Sequence, residues 1–335
     1  MWRRGPASRC AGPLPGAKKM SVPVVLVAGF LGSGKTTVVN HVLAHADGRR
    51  IAAVVNDFGA INIDAELITG AADGVVSLSN GCICCSLESD LLRTLAALLR
   101  RDPRPELIVI ETSGVADPTD IVRNLMDPVI WREVPLETVL CVVDATTPIA
   151  MLDDALLRSQ VGAADVVALS KVDLADAQAC TQVRDAIRAL RPAAVLVDAP
   201  HGEVPLSLLF PPDVDHAPAP RESGLRELGQ SRPASDRFET LSWTSERPVS
   251  LSRLQQAINR LAPKLARAKG LLDTIEQPGK LMVFQFAGGR ATLAASGTLP
   301  AGMQRTRIVF VAEIGVLSRA EIERIMQGCV EAGAN

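Results

Sequence analysis

Val24-Val25-Leu26-Val27-Ala28-Gly29-Phe30-Leu31-Gly32-Ser33-Gly34-Lys35-Thr36 runs from a continuous apolar stretch into a phosphate-binding loop, GxxxxGK[ST], and on into a helix-forming segment. The strand before and the helix after are the context that separates this motif from a chance glycine turn. Gly32 and Gly34 let the backbone turn tightly, so that successive N–H groups face phosphate oxygens. The helix that follows adds the positive end of its dipole. Lys35 supplies a point charge to the β- and γ-phosphates, and the Thr36 hydroxyl is suited to ligate Mg²⁺.

Outward from this loop, Val22 to about His201 alternates short apolar runs with amphipathic stretches. Strands are expected at Val24–Ala28, Ile51–Asn56, Val75–Leu78, Leu107–Glu111, Thr138–Val143, Asp165–Ser170 and Ala194–Val197. They are continuous and rich in Val, Ile and Leu, as strands buried on both faces of a parallel sheet are. Between them, Leu87, Leu91, Leu95, Leu98 and Leu99 form one helical stripe, with Ser86 as its cap. The expected fold is α/β, a doubly wound and mostly parallel P-loop domain over residues 22–205. Its functional residues then belong in loops at the carboxyl ends of the strands. Residues 206–236 are rich in Pro and read as a linker. A smaller α+β domain is expected over 237–333, with strands at Phe238–Trp243, Lys280–Ala287, Ala291–Ala295 and Thr306–Ala312. Its helices bury Leu254, Ala257, Ile258 and Leu261, and Ile322, Ile325, Met326, Cys329 and Val330, the second starting at a Ser318/Glu321 capping box.

Composition excludes several classes. The chain has 335 residues, 47% hydrophobic and 21% charged, room for about two domains. No stretch approaches the roughly 20 apolar residues of a membrane span. A net charge of −2, no Tyr and 3% aromatics exclude a general nucleic-acid binder. Seven cysteines, an odd number with three clustered, are no secreted disulfide framework and point to a cytoplasmic setting. Residues 1–21 carry Arg3, Arg4, Arg9, Lys18 and Lys19 without one acid or an apolar core. They are expected to be a disordered extension, or an upstream segment with the working start at Met20.

Polar residues gather at the strand ends: Asn56-Asp57-Phe58-Gly59 with Asp64, Glu111-Thr112-Ser113-Gly114 with Asp117-Pro118, Asp144, and Ser170-Lys171-Val172-Asp173. Asp117 and Asp144 also suit simple caps or turns. Asp173 can accept from both N1–H and the C2 amino group of guanine, whereas adenine presents a lone pair at N1 and no amino group. The Lys171 stem would cover the base plane. Cys82-Ile83-Cys84-Cys85 places three thiols in four residues, and the spacing of Cys82 and Cys84 lets both face one side. Thiolates suit zinc-like ions, although two or three donors need water, a carboxylate or a partner to complete a site. A structural cluster or a redox pair is the alternative. Cys141, Cys180 and Cys329 sit in apolar patterns and read as core residues.

Together these motifs resemble the CobW family of P-loop GTPases, related to the nickel-enzyme accessory proteins HypB and UreG. Gly29–Thr37, Asn56–Gly59 with Asp64, Gly81–Cys85, Glu111–Pro118 and Ser170–Asp173 carry the resemblance. His201-Gly202-Glu203-Val204-Pro205 and Arg267-Ala268-Lys269-Gly270 extend it. It implies GTP hydrolysis coupled to delivery of Zn²⁺ or Co²⁺ to a client metalloprotein or cofactor-biosynthesis enzyme. GTP would be held by Gly29, Gly32, Ser33, Gly34, Lys35, Thr36, Thr37 and Gly114, with Ser170, Lys171 and Asp173 at the base. Lys35, Thr36 and Glu111 would serve catalysis. Mg²⁺ would fall to Thr36 and to Asp57, Asp64 or Glu111, and the cargo metal to Cys82, Cys84 and Cys85. The chain departs from the family in having Asp57 where Glu is usual. It also has only four His, at 41, 45, 201 and 216, so no metal reservoir is expected. His41 and His45, spaced i,i+4, read as surface residues. No Gln follows Gly114, and nothing marks an arginine finger, so slow intrinsic hydrolysis is expected. The rival readings are a P-loop ATPase or kinase with structural cysteines, and a non-catalytic metal sensor or storage protein.

Overall fold

Strands with no polar face are stable only inside a sheet covered on both sides. The computed structural model describes residues 21–45, 48–55, 75–77, 87–210, 237–298 and 306–330. In it Val24–Gly29 (β1), Ile51–Val55 (β2), Val75–Ser77 (β3), Leu107–Glu111 (β4), Leu136–Asp144 (β5), Val166–Ser170 (β6) and Val195–Ala199 (β7) form one sheet. Its order is β3-β2-β4-β1-β5-β6-β7, and every neighbouring pair is parallel. Successive residues of β1 feed opposite faces. Val25 and Val27 pack with Val38, Val39 and Val42 of the helix Lys35–Ala44. Val24 and Leu26 pack with Leu91, Leu95 and Leu98 of the helix Leu87–Leu98. β1 lies between β4 and β5, the place where strand order reverses and where such sheets open a crevice beyond the carboxyl ends.

The second sheet is antiparallel, in the order β11-β10-β9-β12-β8. Its strands are Phe238–Ser245 (β8), Arg267–Asp273 (β9), Lys280–Ala287 (β10), Arg290–Thr298 (β11) and Thr306–Glu313 (β12). The helix Leu251–Leu261 buries Leu254, Ala257, Ile258 and Leu261, as its periodicity predicts. The helix Arg319–Gln327 buries Ile322 and Met326, with Cys329 buried just beyond it. The Ser318 hydroxyl accepts from Glu321 N at 3.2 Å. The Glu321 carboxylate takes Lys264 Nζ at 2.8 Å, an interdomain-independent tie that the capping-box reading does not foresee. β9, the middle strand, is absent from the strands expected by pattern.

Leu206–Leu209, assigned by composition to the linker, is a short helix whose Leu208 and Leu209 are buried in the first domain's core. Among the described residues no helix is long and apolar enough to cross a membrane.

Candidate functional site

The loop after β1 meets its requirements one residue at a time. Gly32 and Gly34 have φ of 72° and 95°, the left-handed region that glycine enters without strain. Gly34 is the N-cap of the helix Lys35–Ala44. A Cβ on Gly29 would lie 2.3 Å from the carbonyl oxygen of Val142, so only glycine lets the loop leave the sheet here. Lys35 is buried and its Nζ donates to Phe30 O at 3.1 Å, which folds the ammonium back over its own loop. The Ser33 hydroxyl is buried and has no hydrogen-bond partner among the described residues. An orphaned hydroxyl inside a glycine loop at a helix N-terminus is what a phosphate oxygen would satisfy. Thr37, beside Lys35 and Thr36, is exposed.

β4 delivers the second element. Glu111 is buried, and its Oε1 accepts from the Thr36 hydroxyl at 2.8 Å. That hard oxygen pair is of the kind Mg²⁺ takes, with water and phosphate completing the shell. Gly114 sits directly on the phosphate loop, since a Cβ there would lie 2.6 Å from Leu31 Cα. Asp117 caps the helix Pro118–Leu125 by accepting from Thr119 N at 2.9 Å. Burial works to raise its pKa, but the bonds from Thr119 and Ser159 hold the carboxyl below its usual value. Asp117 is therefore a structural cap.

β5 and β6 supply the third. The Ser170 hydroxyl is buried and donates to Ser33 O at 2.6 Å, tying the tetrad directly to the phosphate loop. Lys171 adopts φ 54° and its Nζ pairs with Asp144 at 2.7 Å. Burial works to raise the Asp144 pKa, but hydrogen bonds from Lys171 and Thr146 hold it low. Asp144 thus stays ionised and anchors the lysine stem across the tetrad. The Asp173 carboxylate is exposed and makes no hydrogen bond or ion pair with the described residues.

β1, β4 and β6 so bring together Gly29, Gly32, Ser33, Gly34, Lys35, Thr36, Glu111, Gly114, Ser170 and Lys171, with Thr37 and Asp173 at the rim. Asp57, Asp64, Cys82, Cys84 and Cys85 lie outside the described residues. Cys141 and Cys329 are buried, with thiols pushed up to about 12 and about 11 by burial, so they are core residues as the pattern predicts. The His41 and His45 rings stand 4.3 Å apart, and burial followed by the His45 charge lowers the His41 pKa. Among the described residues no group of three or more His, Cys, Asp and Glu can hold a metal ion. Sequence reasoning missed Ser159 and Gln160, which grip the loop after Gly114 from the helix Ala155–Ala163. Their only signal is a glutamine on the apolar face of that helix.

A parallel sheet opening on a glycine loop, with a buried acid bonded to the loop threonine, defines a P-loop nucleotide-binding domain, here followed by an α+β domain. Comparison with known proteins gives the family. The CobW/HypB/UreG nucleotide-binding domain matches residues 23–198, and the cobalamin synthesis protein cobW C-terminal domain matches residues 238–330. The chain belongs to the CobW/HypB/UreG family. A zinc chaperone CobW from a Sinorhizobium species is 31% identical over 333 residues, spanning 88% of this chain and 94% of that protein. Zinc chaperone YjiA of Escherichia coli is 29% identical, over 87% of this chain and 93% of its own. Zinc-regulated GTPase metalloprotein activator 1 of Dictyostelium discoideum is 28% identical, over 82% and 68%.

Proposed function

We propose that this protein is a GTP-hydrolysing metallochaperone of the cytoplasm, in which the nucleotide state sets the affinity for a transition-metal cargo, zinc first. The observation that carries the reading is the 2.8 Å bond between Thr36 and Glu111, with Gly114 pressed on Leu31. It joins the phosphate loop to the loop after β4, the two places where a terminal phosphate is bound and its loss is felt. The names of the relatives, zinc chaperones and a zinc-regulated GTPase, support the metal and the reaction.

In this reading Gly29, Gly32, Ser33, Gly34 and Thr37 cradle the phosphates with backbone and hydroxyl donors, and Lys35 neutralises charge between the β- and γ-phosphates. Thr36 and Glu111, with Asp57 or Asp64, would hold Mg²⁺, which would supply neutralisation of phosphate charge. Asp173 selects guanine and Lys171 covers it. Val115 follows Gly114 and offers no group to orient water, so the intrinsic rate is slow. Cys82, Cys84 and Cys85 bind Zn²⁺ or Co²⁺ as cargo. The chain reaches them after leaving β3, whose carboxyl end is on the nucleotide edge of the parallel sheet. Release goes to a client metalloprotein or a cofactor-biosynthesis enzyme, without nucleic acid or membrane.

Linkage makes this testable: if GTP tightens the metal site, metal tightens GTP by the same factor. Zn²⁺ titrations with Mg²⁺ and a non-hydrolysable GTP analogue are expected to give one site per chain, weakened about tenfold with GDP. Cys82→Ser and Cys84→Ser should lose the site and keep nucleotide binding. Equal Zn²⁺ affinity in the two nucleotide states would overturn the coupling, and equal affinity for ATP and GTP would overturn the nucleotide.

A further inference from the structure

The helix Ala155–Ala163 follows Asp154, whose carboxylate accepts from Leu156 N and Leu157 N. Leu157 and Val161 enter the core beneath β5 and β6. On the same apolar side stands Gln160, with 0% exposure. Its Nε2 donates to Ala116 O at 3.1 Å and Gly114 O at 3.3 Å, while its Oε1 is buried without a hydrogen-bond partner among the described residues. The reverse amide orientation would aim oxygen at two carbonyls, so this pair of acceptors sets it. A leucine would fill the space but leave the Gly114 and Ala116 carbonyls without this donor, so what the amide adds is a hold on that segment. One residue earlier, the Ser159 hydroxyl lies 2.8 Å from each Asp117 carboxylate oxygen. A single helical turn therefore grips the segment Gly114–Asp117 along its length. On its other side that segment is pressed against Leu31 of the phosphate loop and begins three residues after Glu111.

We propose that Gln160 is a positioning residue for the terminal phosphate: by holding the carbonyls of Gly114 and Ala116 it keeps the Gly114 backbone against the phosphate loop, and so lets the site distinguish a nucleoside triphosphate from a diphosphate. Val115, 49% exposed, brings no polar side chain to this loop. The loop's contribution is then made by its backbone, and backbone placement is what the Gln160 amide controls. This rests on the GTPase reading above, and the test separates the two.

GTP turnover, the affinities for GDP and for a non-hydrolysable GTP analogue, and thermal unfolding are measured for the full chain and for Gln160→Leu, Ser159→Ala and Leu157→Ala. Gln160→Leu takes the donor from two carbonyls and should unfold somewhat earlier, while GDP affinity stays near wild type. It should lose about tenfold in both kcat and analogue affinity, the signature of a contact that matters only with the γ-phosphate in place. Ser159→Ala, a milder change on a half-buried side chain, should lower the analogue-to-GDP affinity ratio about threefold. Leu157→Ala removes packing only, so it should unfold earlier with that ratio unchanged. An unchanged ratio in Gln160→Leu and Ser159→Ala, or parallel loss of GDP and analogue affinity, overturns the role of Gln160. Should Gln160→Leu not fold, the Ser159→Ala ratio decides alone. A wild-type chain that neither turns over GTP nor prefers the analogue to GDP overturns the parent reading instead.

Discussion

At Ser170 the tetrad departs from the asparagine with which many P-loop GTPases begin it, and the structure gives the physical equivalent. Its hydroxyl donates to Ser33 O at 2.6 Å and lies 3.2 Å from Val143 O, so it fastens the turn from Ser170 to Asp173 to the phosphate loop. Ser170→Ala leaves the Ser33 carbonyl unpaired inside the protein. It should weaken GTP and GDP alike by about 1–2 kcal/mol, read by nucleotide titration; a loss confined to GTP would contradict this placement. Asp173→Asn acts differently, because in the proposed reading it changes the acceptor for guanine. It should cost GTP about 1–3 kcal/mol and improve xanthosine triphosphate, whose C2 oxygen can take the new donor. Unaltered preference between the two triphosphates would remove Asp173 from the base site. The sequence shows Asp173, Lys35 and Thr36 plainly because each is a motif member at fixed spacing. Ser170's bond to Ser33 spans 137 residues of chain and Gln160's grip on Gly114 spans 46, and no local pattern reports either.

Among elements, β9 shows where pattern reading stops. Continuous apolar runs mark β1, β4, β5 and β6, and the structure finds those strands within a residue or two of where composition puts them. β9 reads Arg-Ala-Lys-Gly-Leu-Leu-Asp, which resembles a surface turn, yet it is the middle of the second sheet. Its charges are matched from outside the element: Arg267 is 2% exposed and Lys269 partly buried, and both meet Glu137 of β5. Gly270 is there for closeness. A Cβ would lie 2.8 Å from Ile308 Cγ1 and 2.9 Å from Arg307 O on β12. Gly270→Ala should therefore push β9 from β12 and destabilise the chain by about 1–3 kcal/mol, measured by denaturant unfolding. A neutral or stabilising effect would mean the strand gives way easily.

For the whole molecule, the two sheets are joined by a buried polar contact that few residues carry. The Glu137 carboxylate, fully buried, accepts from Arg267, Lys269 and Gln285. Arg267 also donates to Leu208 O at 3.1 Å, Leu209 O at 3.0 Å and the Thr138 hydroxyl. Nearby, Asp165 pairs with Arg290, and Arg191 donates to Gly288 O at 3.1 Å. Phe238 and Val311 of the second sheet share the first domain's core. Separation would bare the apolar core that Phe238 and Val311 share and part Glu137 from Arg267 and Lys269, so the domains should unfold in one transition. Glu137→Gln leaves Arg267 without its counter-charge and should cost about 3–5 kcal/mol at neutral pH. Acid gives an independent check. Burial works to raise the Glu137 pKa, but Lys269 and Arg267 together hold it below the ordinary 4.5. The unfolded chain then takes up this proton at higher pH than the folded chain does. The carboxylate's contribution is complete above 4.5 and is lost as pH falls from there through the lower folded value. Denaturant unfolding of wild type between pH 7 and pH 3 should lose stability below about pH 4.5 more steeply than Glu137→Gln, which has no proton to gain at this position. Parallel acid slopes for the two proteins, or separate unfolding of the domains in wild type, would show that the Glu137 contact does not hold the molecule together.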